Sequence, residues 1–393
     1  MTDSTAFRNI NILTMAQAVG GAAPPIVISL GGIIGTVLAP DPSLATFPVS
    51  LYNVGVAIGT LPAAWVMRRF GRREGYIFGA MIGICGGLLA ATAITAGLFL
   101  LFCLAIMTVG LYGSYIQSFR FAAADTADGD MKAKAISRVM IGGLAAAIIG
   151  PQVAIWTVDA VPGHPYVASF IGLSALALIT LLLVSRLKIP RPVAVTISGG
   201  RPLSEIARSP RFIMAAATGV VSYALMAFIM TATPLAMVAC GHSVGQATLG
   251  IQWHVLAMFG PSFVTGRLIA RFGKETIAAT GLALIAACSA IALSGLGLTH
   301  FWLALILLGV GWNFGFIGAT AMITDCHTPE ERGKVQGLND FLVFGSTATA
   351  SFLAGALVHI DNGWSMMNWL VFPAVALVLV PLVFSRRLFA RVG

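Results

Sequence analysis

Charge is scarce in this chain. Only 9% of its 393 residues are Asp, Glu, Lys or Arg, while 58% are hydrophobic and the mean hydropathy is +0.92. A soluble domain carries about 25% charged residues, so a soluble fold is excluded and the chain reads as an integral membrane protein. Cysteine is scarce too. Cys85, Cys103, Cys240, Cys288 and Cys326 show no paired spacing, and three of them fall inside apolar stretches, which argues against a disulfide or a metal site. No polar stretch is long enough to build a basic face, so the formal charge of +9 and the pI near 9.7 do not mark a nucleic-acid binder. No cluster of acids, histidines or cysteines lies in or near an apolar stretch, which excludes a membrane enzyme.

What is present is a succession of long apolar runs. A spanning helix takes about 20 mainly apolar residues, and hydrocarbon forces every backbone group to bond internally. The segments that fit are 12–39, 46–67, 75–96, 99–123, 137–158, 166–186, 211–239, 247–270, 276–297, 299–323, 336–359 and 364–385, twelve spans in all. The first follows a short stretch with one basic residue, Arg8, and lacks the small-residue cleavage site of a secretory signal, so it is expected to be a retained helix.

Basic residues fall on one set of alternate loops. Arg8, Arg68 to Arg73, Lys132, Lys134, Arg138, the run from Arg186 to Arg211, Arg271, Lys274, Arg332, Lys334, Arg386, Arg387 and Arg391 belong to it. The opposite loops carry Asp41, Asp159, His164, His242, His300, His359 and Asp361, with no Lys or Arg. The positive-inside rule makes the first set cytoplasmic, and an even number of spans puts both termini there. The expectation is a multi-pass protein of a bacterial cytoplasmic (inner) membrane, whose net charge reports topology.

The chain also repeats itself. "RRFGRRE", from Arg68, and "ARFGKE", from Ala270, share an Arg-Phe-Gly-basic core, with Gly273 lying 202 positions after Gly71. An offset of 200 matches Asp125 with Asp325, Lys132 with Arg332 and Lys134 with Lys334. Between the copies runs a polar stretch rich in Pro, Gly and basic residues, which divides the chain into a six-span half at 1–187, a cytoplasmic linker at 188–211 and a second half at 212–393. Duplicated halves of this kind are the layout of many secondary transporters, with the substrate site near the bilayer midplane.

On these residues the chain resembles a twelve-helix transporter of the major facilitator superfamily over essentially its whole length. Phe70, Gly71, Arg72 and Arg73 are similar to that superfamily's signature loop between helices 2 and 3, and Arg271, Phe272, Gly273 and Lys274 to its degenerate copy between helices 8 and 9. Gly150-Pro151 resembles the fifth-helix motif of antiporting exporters. The resemblance implies an all-α integral membrane fold of twelve transmembrane helices, in two six-helix repeats around a central cavity. The chain departs from the pattern where the superfamily has an Asp, which is Arg68 here, and where it has a Gly, which is Ala64; in the second copy Ala270 takes the acidic position.

Two readings of the arginine cluster stay open. The arginines can anchor a tight turn on anionic headgroups, each worth on the order of 1 kcal/mol. Alternatively Arg68 or Arg69 latches a gate with Asp340, the one acid placed within a span, which lies six residues inward of Lys334, or about 9 Å along a helix. The resemblance puts helix 11 beside helix 2, as that pairing requires; Arg120 is a third candidate partner.

Few polar groups remain inside the spans to recognise a solute. Arg120 and Gln117 share a face of the fourth span, with Tyr112 and Tyr115 further along, a set suited to an anionic or planar solute. Gln252, Trp253 and His254 fall in the eighth span, where His254 could couple transport to protons. Trp312 and Asn313 in the tenth span, Asn53 in the second and Gln17 in the first complete the set. Glycines such as Gly83, Gly86, Gly87, Gly142 and Gly143 are read as helix-packing positions. Pro24-Pro25 is expected to break the first helix, and Pro62, Pro151, Pro234 and Pro261 to bend others.

The reading is therefore a secondary active transporter that moves a small neutral or anionic, partly aromatic solute by alternating access. Proton-coupled export is the first choice, on the fifth-span motif; uptake of a vitamin or metabolite is the alternative, and a non-transporting receptor or assembly factor on the same fold the second. The first span lacks an acid, which argues against an exporter of cationic drugs. The expected partners are the solute, protons and the lipid bilayer, with no cofactor and the protein acting as a monomer.

Overall fold

The computed structural model describes residues 3–125, 131–189, 200–328 and 330–389. These residues contain helices and turns and no strand, as expected of a chain whose backbone must satisfy itself in lipid. In the first half, α1 (Asp3–Gly20) and α2 (Ala23–Leu38) form the first span, followed by α3 (Phe47–Phe70) and α4 (Arg72–Ala96). The fourth span is α5 (Phe99–Gln117) with α6 (Phe119–Asp125), and α7 (Met131–Thr157) and α8 (Val167–Val184) are the fifth and sixth. After the short α9 (Leu203–Ala207) come α10 (Pro210–Ala239), α11 (Val244–Phe259) with α12 (Ser262–Phe272), α13 (Lys274–Ser294), α14 (Leu298–Ile323), α15 (Arg332–Val358) and α16 (Gly363–Phe389). The expected linker at 188–211 lies partly outside the described residues, at 190–199, and so does Arg391.

The twelve spans form two six-helix repeats with matching neighbours. In the first, α5 packs on α4, α4 on α8, and α1 on α7; at the equivalent places in the second, α14 packs on α13, α13 on α16, and α10 on α15. By proximity the chain forms two compact units, Met1–Ala194 with Ser243–Val255, and Val195–His242 with Leu256–Gly393.

Among the described residues, eleven helical stretches are long and apolar enough to cross a membrane. The eighth span falls short as one helix because it is cut at Gly260-Pro261 into α11 and α12. Proline has no N–H to donate and crowds the preceding turn, so the expected bend at Pro261 is a break. The break in the first span comes at Gly21-Ala22, ahead of the expected Pro24-Pro25, because proline is well placed in the first turn of the helix that follows. Pro62, Pro151 and Pro234 lie inside unbroken helices.

Candidate functional site

The two signature loops reverse the chain with a single glycine. Gly71 has φ 101° and Gly273 φ 84°, left-handed values that a side chain rarely adopts, so one residue suffices between α3 and α4 and between α12 and α13. After the first turn, Arg72 donates to the Tyr76 hydroxyl at 3.3 Å, and the Ser118 hydroxyl donates to the same oxygen at 3.1 Å. Arg73 Nε donates to the Ser185 carbonyl at 2.7 Å and ties α4 to the end of α8. Both arginines thus have protein partners besides any lipid. Arg68, Arg69 and Phe70 are exposed on the last turn of α3. In the second copy Lys274 pairs with Asp325, and the Arg271 guanidinium sits 5.1 Å from the centre of the Phe272 ring. Asp340 is exposed near the start of α15, and Asn339 Nδ2 approaches it at 3.4 Å.

Several sequence candidates turn out to be packing residues. Tyr112 is 1% exposed, and its ring lies where a Cβ on Gly83 would come within 2.7 Å of it, with the hydroxyl as close to Gly20. Tyr115 is buried in the same way over Gly79. Gln117 and Arg120 are exposed, the latter with its guanidinium 4.8 Å from the Phe121 ring centre. Asn53 Nδ2 donates to the Val49 carbonyl of its own helix at 3.3 Å. Gln17 lies beside the Gly21 break and beneath Gly142 of α7. Gly150 faces the same break, since a Cβ there would meet the Ala22 carbonyl at 2.5 Å; Pro151 follows without interrupting α7.

Asn313 is the clearest case. It is fully buried, receives a hydrogen bond from the Thr265 hydroxyl at 2.6 Å, and donates to the Met258 carbonyl at 2.6 Å and to Ser262 Oγ at 2.7 Å. Its amide thereby satisfies groups released by the break in the eighth span and holds α11 and α12 to α14. A buried carboxamide with three bonds of this kind has little left for a solute.

Two polar or aromatic groupings remain. In the first unit, Gln152 Nε2 of α7 donates to Gln252 Oε1 of α11 at 2.9 Å. His254 is buried one residue from Trp253, which is 42% exposed. In the second unit, Trp312 lies nearly parallel to Phe316 one turn on, with centroids 5.2 Å apart at 16°. Tyr223 of α10 stands edge-on to both, at 5.3 and 5.1 Å, and to Phe344 of α15 at 5.8 Å, while Phe259 closes on Trp312 at 6.2 Å. Trp312 is 7% exposed, whereas Tyr223, Phe316 and Phe344 are half-buried.

Of these residues the sequence singles out Trp312, Gln252, Trp253 and His254 and misses Tyr223, Phe259, Phe316, Phe344 and Gln152. Phe316 is within reach, because the i, i+4 spacing in "WNFGF" puts two rings on one helix face. The others converge from separate helices and carry no local signal.

Outside the spans the described end of the linker is clamped. Glu331, 1% exposed, accepts from the Arg201 backbone N–H at 2.7 Å and from the Arg201 guanidinium at 3.0 and 2.9 Å, and also from the Thr328 N–H. These donors, the Arg201 guanidinium first, hold the Glu331 carboxyl down at about 2.

The Major Facilitator Superfamily model matches residues 10–318 and 255–391. The riboflavin transporter RfnT of Brucella anthropi is 61% identical over 388 residues, covering 98% of this chain and 97% of that protein. The MFS-type transporter YddS of Bacillus subtilis is 31% identical, covering 96% of this chain and 90% of that one. Among solved structures, a D-xylose-proton symporter matches with a TM-score of 0.75 at 15% identity, over 96% of this chain and 97% of its own, a likeness of fold.

Proposed function

This chain belongs to the Major Facilitator Superfamily, and from that premise we propose that it carries riboflavin into the cell across the cytoplasmic membrane. It is a multi-pass membrane transporter and not an enzyme. The observation that carries the cargo is the 61% identity to a riboflavin transporter along nearly the full length of both proteins. It favours the vitamin-uptake reading of the sequence over export, which rested on Gly150-Pro151 alone.

The chemistry of the chain suits that cargo. Riboflavin is uncharged, with a flat heteroaromatic ring and a hydroxylated side chain. Such a solute asks for aromatic surface and a few hydrogen-bonding groups. The spans offer clustered rings in the second unit and paired glutamines in the first, and few charges. We take the proton as the coupling ion with His254 as its carrier, the basic loops and both termini as cytoplasmic, and the protein as a monomer.

The test is uptake of labelled riboflavin by a bacterial strain that can neither make nor import the vitamin. Cells expressing the chain should accumulate label saturably, unlabelled riboflavin should compete, and a protonophore should abolish accumulation. Uptake no faster than in cells with an empty vector overturns the cargo; uptake indifferent to the protonophore overturns the coupling.

A further inference from the structure

We propose that Tyr223, Trp312, Phe316 and Phe344 form the subsite for the tricyclic ring of the flavin, with Trp312 Nε1 donating a hydrogen bond to a ring carbonyl. The proposal deepens the riboflavin reading and rests on it for the identity of the cargo.

The first support is the indole N–H. Buried polar groups are nearly always hydrogen-bonded, yet Trp312 Nε1, in a residue only 7% exposed, has no partner among the described residues. Packing alone would be served by a phenyl ring, which brings no donor into an apolar cluster. A planar guest with a carbonyl on its edge supplies the missing acceptor.

Shape is the second support. Trp312 and Phe316 are stacked on one another with an offset along a single face of α14, 16° from parallel with centroids 5.2 Å apart. Tyr223 stands near 85° to both, and Phe344 borders Tyr223 from α15. Rings from three helices, α10, α14 and α15, thus meet in one cluster, and Tyr223, Phe316 and Phe344 keep partial exposure, so a guest can reach it. Aromatic rings favour offset stacking and edge-to-face contact; the cluster offers a tricycle both. The isoalloxazine ring has its carbonyls on the pyrimidine edge, and because the indole N–H points outward in its own ring plane, that edge meets the rim of Trp312 while the tricycle lies against the neighbouring rings.

Isoalloxazine fluorescence is quenched by stacking on Trp or Tyr, so binding can be read directly on the purified full-length protein in lipid nanodiscs. The probes are riboflavin and lumichrome, which has the tricycle without the ribityl chain. Wild type should quench both. Trp312→Phe, which keeps a ring and loses the donor, should weaken binding of both about tenfold, the scale of one hydrogen bond to a buried group. Phe316→Leu, which removes a ring from the cluster and leaves Trp312 and Tyr223 in place, should lower affinity for both, and melting curves of each variant check that the fold is kept. Normal quenching and affinity in folded Trp312→Phe and Phe316→Leu would overturn the subsite while leaving riboflavin uptake standing. Loss of riboflavin uptake in wild type, with lumichrome still bound in a Trp312-dependent way, would overturn the cargo and keep the subsite. Failure of wild type to bind either probe would overturn both.

Discussion

Tyr112 and Trp312 hold the same place in the two repeats, 200 residues apart, and the two halves use them in opposite ways. In the first half the aromatic ring fills space left by glycines: Tyr112 lies over Gly83 and Tyr115 over Gly79. In the second half the position matching Tyr115 is Gly315, and α13 and α14 meet there backbone to backbone, Gly281 against Gly311 and Gly315. With that interface filled by main chain, Trp312 is directed instead at Tyr223 of α10. The neighbouring pair diverges too, since Gly113 admits the Tyr52 hydroxyl while Asn313 holds a broken helix together. A duplicated backbone keeps its helix neighbours while exchanging which residues are small. The small residues decide where the large ones can point.

The largest expected effect tests this exchange of sizes. Gly281→Ala would drive a Cβ into the Gly315 amide and the Gly311 carbonyl, rigid backbone that cannot give way, and should cost about 3 kcal/mol or abolish folded protein. Gly83→Ala meets the buried Tyr112 ring, a side chain that can shift further than main chain can, and should cost less, about 1–2 kcal/mol. Melting of the two variants by intrinsic fluorescence checks the order; equal losses would break the contrast.

Somewhat smaller is the expected cost of Asn313→Leu, which matches the side chain in size and leaves the Met258 carbonyl and two hydroxyls without their partner. A loss of about 2–3 kcal/mol of stability should follow, and unchanged melting would mean that the eighth span does not depend on this amide.

Smaller again is the effect at the aromatic positions, where the readout is affinity. Tyr112→Phe should leave riboflavin binding within about twofold, while Trp312→Phe weakens it about tenfold, near 1.4 kcal/mol. A reversed order in a fluorescence titration would show that the first unit carries the ring.

The smallest effect concerns the clamp between Arg201 and Glu331. Because the Glu331 carboxyl is lowered from the ordinary 4.5 to about 2 by its partners, its contribution is complete above about 4.5 and is lost as the pH falls toward 2. Hydrogen exchange at the Arg201 amide, corrected for its intrinsic rate, should show constant protection from neutral pH down to that range and declining protection below it. Glu331→Gln should show reduced protection at every pH. A wild-type profile as flat as that of the variant would remove the clamp.

Much of the fold is legible in the chain alone. Spans, repeats and the single-glycine turns at Gly71 and Gly273 are readable because each depends on residues close together in sequence. The site is less legible. Trp312 stands out because a Trp inside a span is conspicuous, but Tyr112 and Asn313 look equally like binding residues, although one fills a glycine groove and the other completes a helix break. Polarity inside a span signals a requirement for a partner, and it does not say whether that partner is solute or protein.

The class of the protein follows from composition and spacing: scarce charge and twelve continuous apolar runs of about 20 residues require membrane helices, since barrel strands are about half as long and alternate in polarity, and the distance between the Arg-Phe-Gly copies points to two repeats. Which polar groups are already bonded, and which rings meet, is settled only when the helices pack. Asn313 meets Met258 from 55 positions away, and Tyr223 meets Trp312 and Phe344 from two other helices. Contacts of that range depend on how the helices are rotated against one another. That rotation follows from the placement of glycines across several interfaces at once, which no single stretch of sequence contains.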